Sequence, residues 1–390
     1  MRILFINDTA APVGGAEILT YDLRDEMRRR GHDARLFASR ALGEGPADYV
    51  CFGTTSRLRT LNRAGNPRAA WRLKRVLAEF RPDVVHLRMF TTQLSPLILP
   101  LLREVPCLYH APWYELICPT GIKLLPDGRV CGEPAGRACL RCLSPQAWAV
   151  LMGQRELTER WRGALDLYVA NSDTTRRRLE EHGIAPIVRV WNGVPRRPQR
   201  PPLESPPTVA YAGRLSHEKG VEALVAAFPE VARRVPGARL LLVGEGPLGE
   251  AIDRSEAVRA WGARVLRAGA MPRADAERAL DPAWVQAVPS LLEEPFGNAV
   301  AEAFMRGTAV VASAAGTPGE LVGLAGAGLR VPPGDPAALA EALITLLSDR
   351  DRAESLGAAG RAWAFDRLSL ERCADDFVAL YRGLVGRTRE

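Results

Sequence analysis

Two doubly wound α/β domains, each a parallel sheet with helices on both faces, are the fold class this sequence predicts. Three observations carry that reading. The chain has 390 residues, enough for two domains at roughly 100–200 residues each. Short apolar runs alternate with amphipathic stretches, which indicates parallel sheets covered by helices. The alternation stops at Pro195–Pro207, where six prolines fall in thirteen residues, and then restarts.

Arg2–Asn7 reads as a buried strand, followed by a Gly-containing loop and a helix from about Ala16 to Arg30. Ala34–Ala38, Val84–Leu87 and Cys107–Tyr109 are further strands, with a helix over Pro67–Phe80 between two of them. Leu167–Ala170 and Ile187–Trp191 continue the pattern. The Pro-rich segment can be neither a helix nor a central strand, so it reads as a semi-rigid linker. Beyond it, Thr208–Ala212, Arg239–Val243, Arg264–Arg267, Trp284–Val288 and Ala309–Ala312 are strands. Helices fill the gaps, among them Gly220–Arg234 and Gly297–Arg306. From Pro336 onward the chain is mostly helical. The expected division is residues 1–194, a linker at 195–207, and a second domain at 208–369. Two such domains form a cleft, and ligands in these folds bind outside the carboxyl ends of the strands.

Composition excludes several classes. The chain is 47% hydrophobic and 25% charged, so it buries a core and is not disordered. Its longest apolar run, Leu94–Leu102, is interrupted by Ser95, Pro96 and Pro100. A spanning helix needs about 20 apolar residues. The apolar start at Met1 is too short for a signal-peptide core, and a cytoplasmic setting is expected. The net charge of +7 is uneven: residues 1–200 hold 31 Lys+Arg and 20 Asp+Glu, whereas residues 201–390 hold 21 and 25. An anionic partner for the first half is one reading, and simple Arg richness is the other. No nucleic-acid motif accompanies the charge, so no nucleic-acid partner is expected.

Several motifs fall at strand ends. Gly14-Gly15 opens the first helix, where glycine lets a ligand approach and the helix start favours phosphate. An ordinary tight turn reads equally well. Leu242–Gly249 fits G-x-G-x-x-G, but no acidic residue ends the next strand to hold a ribose, which argues against a dinucleotide. Arg214 and Lys219 place two cations between a strand and a helix, a pair that can neutralise a diphosphate. Glu294 precedes a helix whose first turn offers free N–H groups, and Glu302 lies within that helix. Two carboxylates so spaced can hold the hydroxyls of a sugar and of a ribose.

These motifs occur in one order: Gly-Gly, Gly-Arg-Leu…Glu-Lys-Gly, Gly-x-Gly-Pro, and Pro-Ser…Glu-Pro-Phe-Gly…Glu-Ala. Together they resemble the retaining glycosyltransferases of family four, which have the GT-B fold, over nearly the whole chain. The resemblance implies a nucleoside-diphosphate sugar as donor and an acceptor hydroxyl. It implies that Gly14 and Gly15 lie near the donor phosphates and that Arg214 and Lys219 bind the diphosphate as it leaves. It further implies that Glu294 contacts the donor sugar with backbone at Phe296, Gly297 and Asn298, and that Glu302 binds the ribose. His110 resembles the family's acceptor-side histidine near the reacting sugar, although a lone buried His is ordinarily a core residue. Asn192-Gly193-Val194 matches the segment before the hinge, and a final helix at 370–390 is expected to return to the first domain. One departure is Gly316-Thr317-Pro318-Gly319-Glu320, where the family often reads Gly-Gly-x-Pro-Glu; no contact is assigned to it.

No catalytic metal is expected, and the cations and helix starts carry the leaving charge. Cys118, Cys131, Cys139 and Cys142 lie within 25 residues, which suits a structural zinc. Disulfides or free thiols are the alternatives. The implied function is sugar transfer with retention, in cell-envelope polysaccharide or glycolipid assembly, with an anionic membrane surface as a partner on the inner face. Arg24, Arg28, Arg29, Arg30, the stretch Arg57–Arg75 and Arg176–Arg178 are the basic candidates for that surface. Tailoring of a soluble small molecule and a nucleotide-sugar epimerase of GT-B shape are the competing readings.

Overall fold

The computed structural model of this chain describes residues 1–56 and 59–386. These divide into two compact units. One comprises Met1–Pro126, Cys131–Pro195 and the chain from Leu370; the other comprises Asp127–Val130 and Arg196–Ser369.

The first unit carries seven parallel strands: β1 (Arg2–Thr9), β2 (Asp33–Ser39), β3 (Tyr49–Cys51), β4 (Val84–Leu87), β5 (Cys107–Ala111), β6 (Leu167–Ala170) and β7 (Ile187–Arg189). Their order is β3-β2-β1-β4-β5-β6-β7. Both faces are covered, which is why β1 reads as a continuous apolar run. Ile3 and Phe5 enter one layer with Val84, Leu108 and Val169. Leu4 and Ile6 enter the other with Val85, Leu87 and Tyr109. The helix Leu370–Val385 buries Cys373, Phe377 and Tyr381 in the first of these layers. Gly193 makes room for it, because a Cβ there would lie 2.7 Å from Cys373 Cβ. The Leu370 N–H donates to the Val194 carbonyl at 3.1 Å. Residues 387–390 of the expected final helix lie outside the described residues.

The second unit carries six parallel strands: β8 (Thr208–Ala212), β9 (Arg239–Val243), β10 (Val265–Gly269), β11 (Val285–Val288), β12 (Ala309–Ser313) and β13 (Gly328–Val331). They run in the order β10-β9-β8-β11-β12-β13. This is the doubly wound order, in which the strand sequence reverses between the first and fourth strands of the unit. The helices Val221–Arg234 and Pro336–Leu347 cover one face with Val225, Phe228, Leu339 and Leu343.

Two strands escape the apolar-run reading. Tyr49–Cys51 has only three residues, and Gly328–Val331 begins with glycine and includes an arginine. Gly328 is needed there, since a Cβ would lie 1.8 Å from the Val310 carbonyl of the neighbouring strand. The Pro-rich segment also differs from a free linker. Leu203 is buried in the second unit's core, and Glu354 holds both the Arg200 guanidinium at 2.8 Å and the Leu203 N–H at 2.7 Å. Trp284 Nε1 donates to the Glu204 carbonyl at 2.8 Å. Proline keeps this stretch extended, and one apolar side chain anchors it.

Candidate functional site

In the second unit, the loops following β8, β9, β11 and β12 bond to one another at the carboxyl edge of the sheet. The Leu215 N–H donates to the Glu245 carbonyl at 3.0 Å, the Leu291 N–H to that of Glu218 at 3.1 Å, and the Thr317 N–H to that of Glu294 at 3.0 Å. Glycines permit these approaches. A Cβ on Gly246 would lie 2.3 Å from the Leu215 carbonyl, and one on Gly220 would lie 1.9 Å from the Pro289 carbonyl. The G-x-G pattern thus serves to seat one loop on the next.

Lys219 ends a single 3₁₀ turn, and Gly220 follows with φ of 68°. The Lys219 Nζ lies 2.9 Å from Glu294 Oε1, and the Ser290 hydroxyl bonds the same oxygen. Glu294 is 8% exposed, so this pair is partly shielded from solvent. Arg214 is exposed, with no ion pair among the described residues. Gly297, at φ of 84°, starts the helix Asn298–Arg306 without a side-chain cap, which leaves first-turn N–H groups free to receive an anion or hydroxyl. Phe296 is buried beside it. Glu302 projects from that helix toward Arg273, whose Nη2 is 3.3 Å away. Burial raises its pKa, and Arg273 opposes the rise.

In the first unit, His110 on β5 is fully buried. Arg88 Nη1 lies 2.7 Å from His110 Nδ1. A guanidinium only donates, so Nδ1 accepts and the ring hydrogen sits on Nε2. Burial, then Arg88, hold His110 well below the usual histidine range. His86 Nε2 is 3.2 Å from the same Nδ1, and His86 Nδ1 is 2.6 Å from the Tyr381 hydroxyl. A pocket of about 350 Å³ also lies in this unit, lined among others by Asp8, Glu17, Arg63, Glu115 and Gln154. At the start of the helix Gly15–Arg29, Glu17 Oε2 would be 2.9 Å from a Cβ on Gly14. The acid therefore already occupies part of the space beside Gly14.

Cys118, Cys131, Cys139 and Cys142 line one narrow space of about 20 Å³. Burial and the other three thiols raise the pKa of Cys142. All seven cysteines are free thiols. Among the described residues no group of three or more His, Cys, Asp or Glu is arranged to hold a metal ion, so the zinc expectation finds no support in their placement.

Residues 195–363 match the family described as Glycosyl transferases group 1, and residues 13–197 match Glycosyltransferase Family 4. The chain belongs to these glycosyltransferases. It is 28% identical over 400 residues to a glycogen synthase of Mycobacterium tuberculosis, covering 93% of this chain and 89% of that one. It is 30% identical over 188 residues to the 2-deoxystreptamine glucosyltransferase of Streptomyces kanamyceticus, 48% of each chain. Among solved structures, the sucrose-phosphate synthase of Thermosynechococcus elongatus superposes with a TM-score of 0.72 at 24% identity, covering 98% of this chain and 99% of that one. Anabaena HepE in complex with UDP-glucose superposes with a TM-score of 0.68 at 20% identity, covering 98% and 100%. These likenesses establish the GT-B fold.

Within this glycosyltransferase, Lys219, Glu294, Phe296, Gly297, Asn298 and Glu302 are placed by one set of loops and one helix. Ser290 and Thr317 fall inside the sequence motifs without a role of their own, yet they hold that set: Ser290 through the Glu294 carboxylate, and Thr317 through the Glu294 and Pro295 carbonyls. The Gly316-Thr317-Pro318 departure thus braces the Glu294 loop from within the chain. Glu17 carried one sequence signal, an acid in a first helical turn. Glu115 carried none. The basic candidates on the first helix are not free: Arg24, Arg28, Arg29 and Arg30 pair with Asp25, Asp48, Glu26 and Asp375. Arg176 and Arg178 likewise pair with Asp173 and Glu181. Arg57 lies outside the described residues. No described helix is long and apolar enough to cross a membrane.

Proposed function

We propose that this glycosyltransferase moves a sugar from a nucleoside-diphosphate donor to an acceptor hydroxyl with retention of anomeric configuration. The observation that carries the reading is the Lys219–Glu294 pair at 2.9 Å, with Ser290 on the same carboxylate, ahead of an uncapped helix start. In this reading Arg214 and Lys219 take up the charge that develops on the leaving diphosphate. Glu294 and the N–H groups at Phe296–Asn298 hold the donor sugar, and Glu302 holds the ribose. Gly14 and Gly15 admit the donor phosphates, and the His110 Nε2–H faces the reacting sugar. Such preorganised donors need no reorganisation during the reaction, and removing one typically costs about 10²–10³ in rate.

Assembly of a cell-envelope polysaccharide or glycolipid is the biological setting we favour. The helix Pro67–Phe80 supports a peripheral membrane contact, because Trp71 is 60% exposed and Arg75 lies over its ring. The pocket of about 350 Å³ in the first unit favours a second reading, a small soluble acceptor, since it is near the lower end of the roughly 300–1,000 Å³ of small-molecule sites.

The test is a thermal-shift panel of UDP-, GDP- and ADP-sugars. One nucleotide class should stabilise the wild type and fail to stabilise Lys219→Ala and Glu302→Ala. NMR of the product should show the donor's anomeric configuration. No stabilisation by any donor would overturn the site assignment, and an inverted linkage would overturn retention.

A further inference from the structure

The pocket in the first unit has a charge set that does not suit an anionic ligand. Its lining includes the carboxyls of Asp8, Glu17, Glu115 and Glu159 against the guanidiniums of Arg63 and Arg155. Two of these carboxyls are already satisfied. Asp8 accepts from the backbone N–H groups of Thr92, Gln93 and Leu94 and from the Thr92 hydroxyl, at 2.6–2.9 Å. Glu159 pairs with Arg162 at 3.0 Å and with Arg155 at 3.4 Å. Arg155 in turn donates to the Leu116 carbonyl at 2.7 Å.

What remains for a ligand is Glu17, Glu115 and Arg63. Glu17 is 9% exposed and lines the pocket without an ion pair or a hydrogen bond from another side chain among the described residues; its own backbone N–H and the charge of Arg88 favour its ionised form, Arg88 from beyond ion-pair distance. Glu115 receives the Thr91 hydroxyl at 2.6 Å and the Tyr109 hydroxyl at 2.7 Å but makes no ion pair among the described residues, and Arg63 acts on it only as a more distant charge. The buried Arg63 Nε has no partner and can only donate. Arg88 and Arg63 act on Glu17 and Glu115 only through space, and burial outweighs them, so both carboxyls remain costly when ionised. An ammonium group in the cavity would pair directly with either carboxyl, and a ligand hydroxyl oxygen would accept from Arg63.

We infer that this pocket is the acceptor site and that it takes a polyol bearing an amino group, held by Glu17 and Glu115. The inference rests on the transferase reading above and specifies its acceptor. Burial raises both carboxyls, Glu115 to about 7, with Asp8 adding to the rise at each and with Arg88 opposing it at Glu17 and Arg63 at Glu115, and a bound ammonium would return them to the ionised form. The first-half excess of Arg, for which an anionic partner was one reading, is not matched in this cavity, where four carboxyls face two guanidiniums.

The experiment compares three ligands of one ring with different charge: glucosamine, glucose and glucose 6-phosphate. Binding to the full chain is titrated by NMR at pH 7, without nucleotide. Glucosamine should bind at least about tenfold more tightly than glucose, the size of one charge-assisted hydrogen bond. Glucose 6-phosphate should bind no better than glucose. Glu17→Gln and Glu115→Gln should each shrink the preference for glucosamine over glucose. Equal binding of the three ligands, a preference for glucose 6-phosphate, or no binding at all would overturn the inference without reference to either variant. A parallel titration of wild type with UDP and GDP separates the two readings: loss of nucleotide binding counts against the donor site, whereas the sugar series counts only for or against the amine.

Discussion

Glu115 shows how one side chain links the pocket to stability. It sits in the loop after β5, and burial and the nearby Asp8 push its pKa up to about 7. The folded state therefore binds a proton that the unfolded chain releases near 4.5, the ordinary value. Its contribution is fully present below that lower value and is lost as pH rises through about 7, because stability falls with pH wherever the native state holds more protons. The full shift would be worth at most about 3 kcal/mol. Glu115→Gln should remove that slope, so urea denaturation of wild type and variant should diverge as pH rises from 4.5 to 7, the variant gaining relative stability. Parallel pH dependences for the two proteins would mean that Glu115 does not titrate there. None of this was legible in the sequence. The groups that set the environment of Glu115 are Thr91, Tyr109 and Asp8, and only the folded chain collects them. By contrast, Lys219 and Glu294, 75 residues apart, were legible because each lies in a motif with its own local signal.

The loops at the carboxyl edge of the second sheet depend on close backbone approach. Gly220 has φ of 68°, and a Cβ there would lie 1.9 Å from the Pro289 carbonyl. Gly220→Ala must therefore displace either the Lys219 turn or the Pro289–Ser290 segment that positions Glu294. We expect it to cost about 2 kcal/mol or more, in line with a residue forced into a conformation it cannot adopt. Donor-induced thermal stabilisation should be lost with it. Gly262→Ala is the control, since a Cβ there meets nothing within 4 Å and its φ of −48° is ordinary helical backbone. That variant should keep wild-type stability and donor response, and equal behaviour of the two would remove the close-approach argument. Elements of this kind were well marked in the sequence. Strands β4, β6, β8 and β9 and the helix Pro67–Phe80 fall where apolar runs and Pro-capped periodicity put them. The strands that were missed, β3 and β13, are short and owe their place to their neighbours: Tyr49–Cys51 pairs with Phe37–Ser39, and Gly328–Val331 pairs with Val310–Ser313. A three-residue strand carries too little periodicity to announce itself.

For the molecule as a whole, a net charge of +7 says little until its ion pairs are known. The first-helix arginines are neutralised by Asp25, Glu26, Asp48 and Asp375, so they add little to a membrane field. The helix Pro67–Phe80 is different. Arg68, Lys74 and Arg75 are exposed on it together with Trp71, and none of these cations has an ion pair among the described residues. Its opposite face buries Ala69, Leu73, Val76 and Phe80 in the core, so the helix is fixed, and its solvent face carries these three cations and Trp71 with one exposed acid, Glu79. Each basic residue near an anionic surface contributes about 1 kcal/mol, and Trp is favoured at the interface itself. Flotation with vesicles of phosphatidylcholine and phosphatidylserine should therefore recover the wild type at low salt and less of it at high salt, because the attraction is screened. Trp71→Ala combined with Lys74→Glu and Arg75→Glu should abolish recovery while leaving the melting temperature and the donor response unchanged, since the buried face is untouched. An Arg28→Glu and Arg29→Glu variant should float like the wild type. If the first-helix variant loses binding and the Trp71 variant keeps it, the membrane face lies elsewhere. If the wild type does not float at all, the small-soluble-acceptor reading gains and the basic excess of the first half is a solvated face.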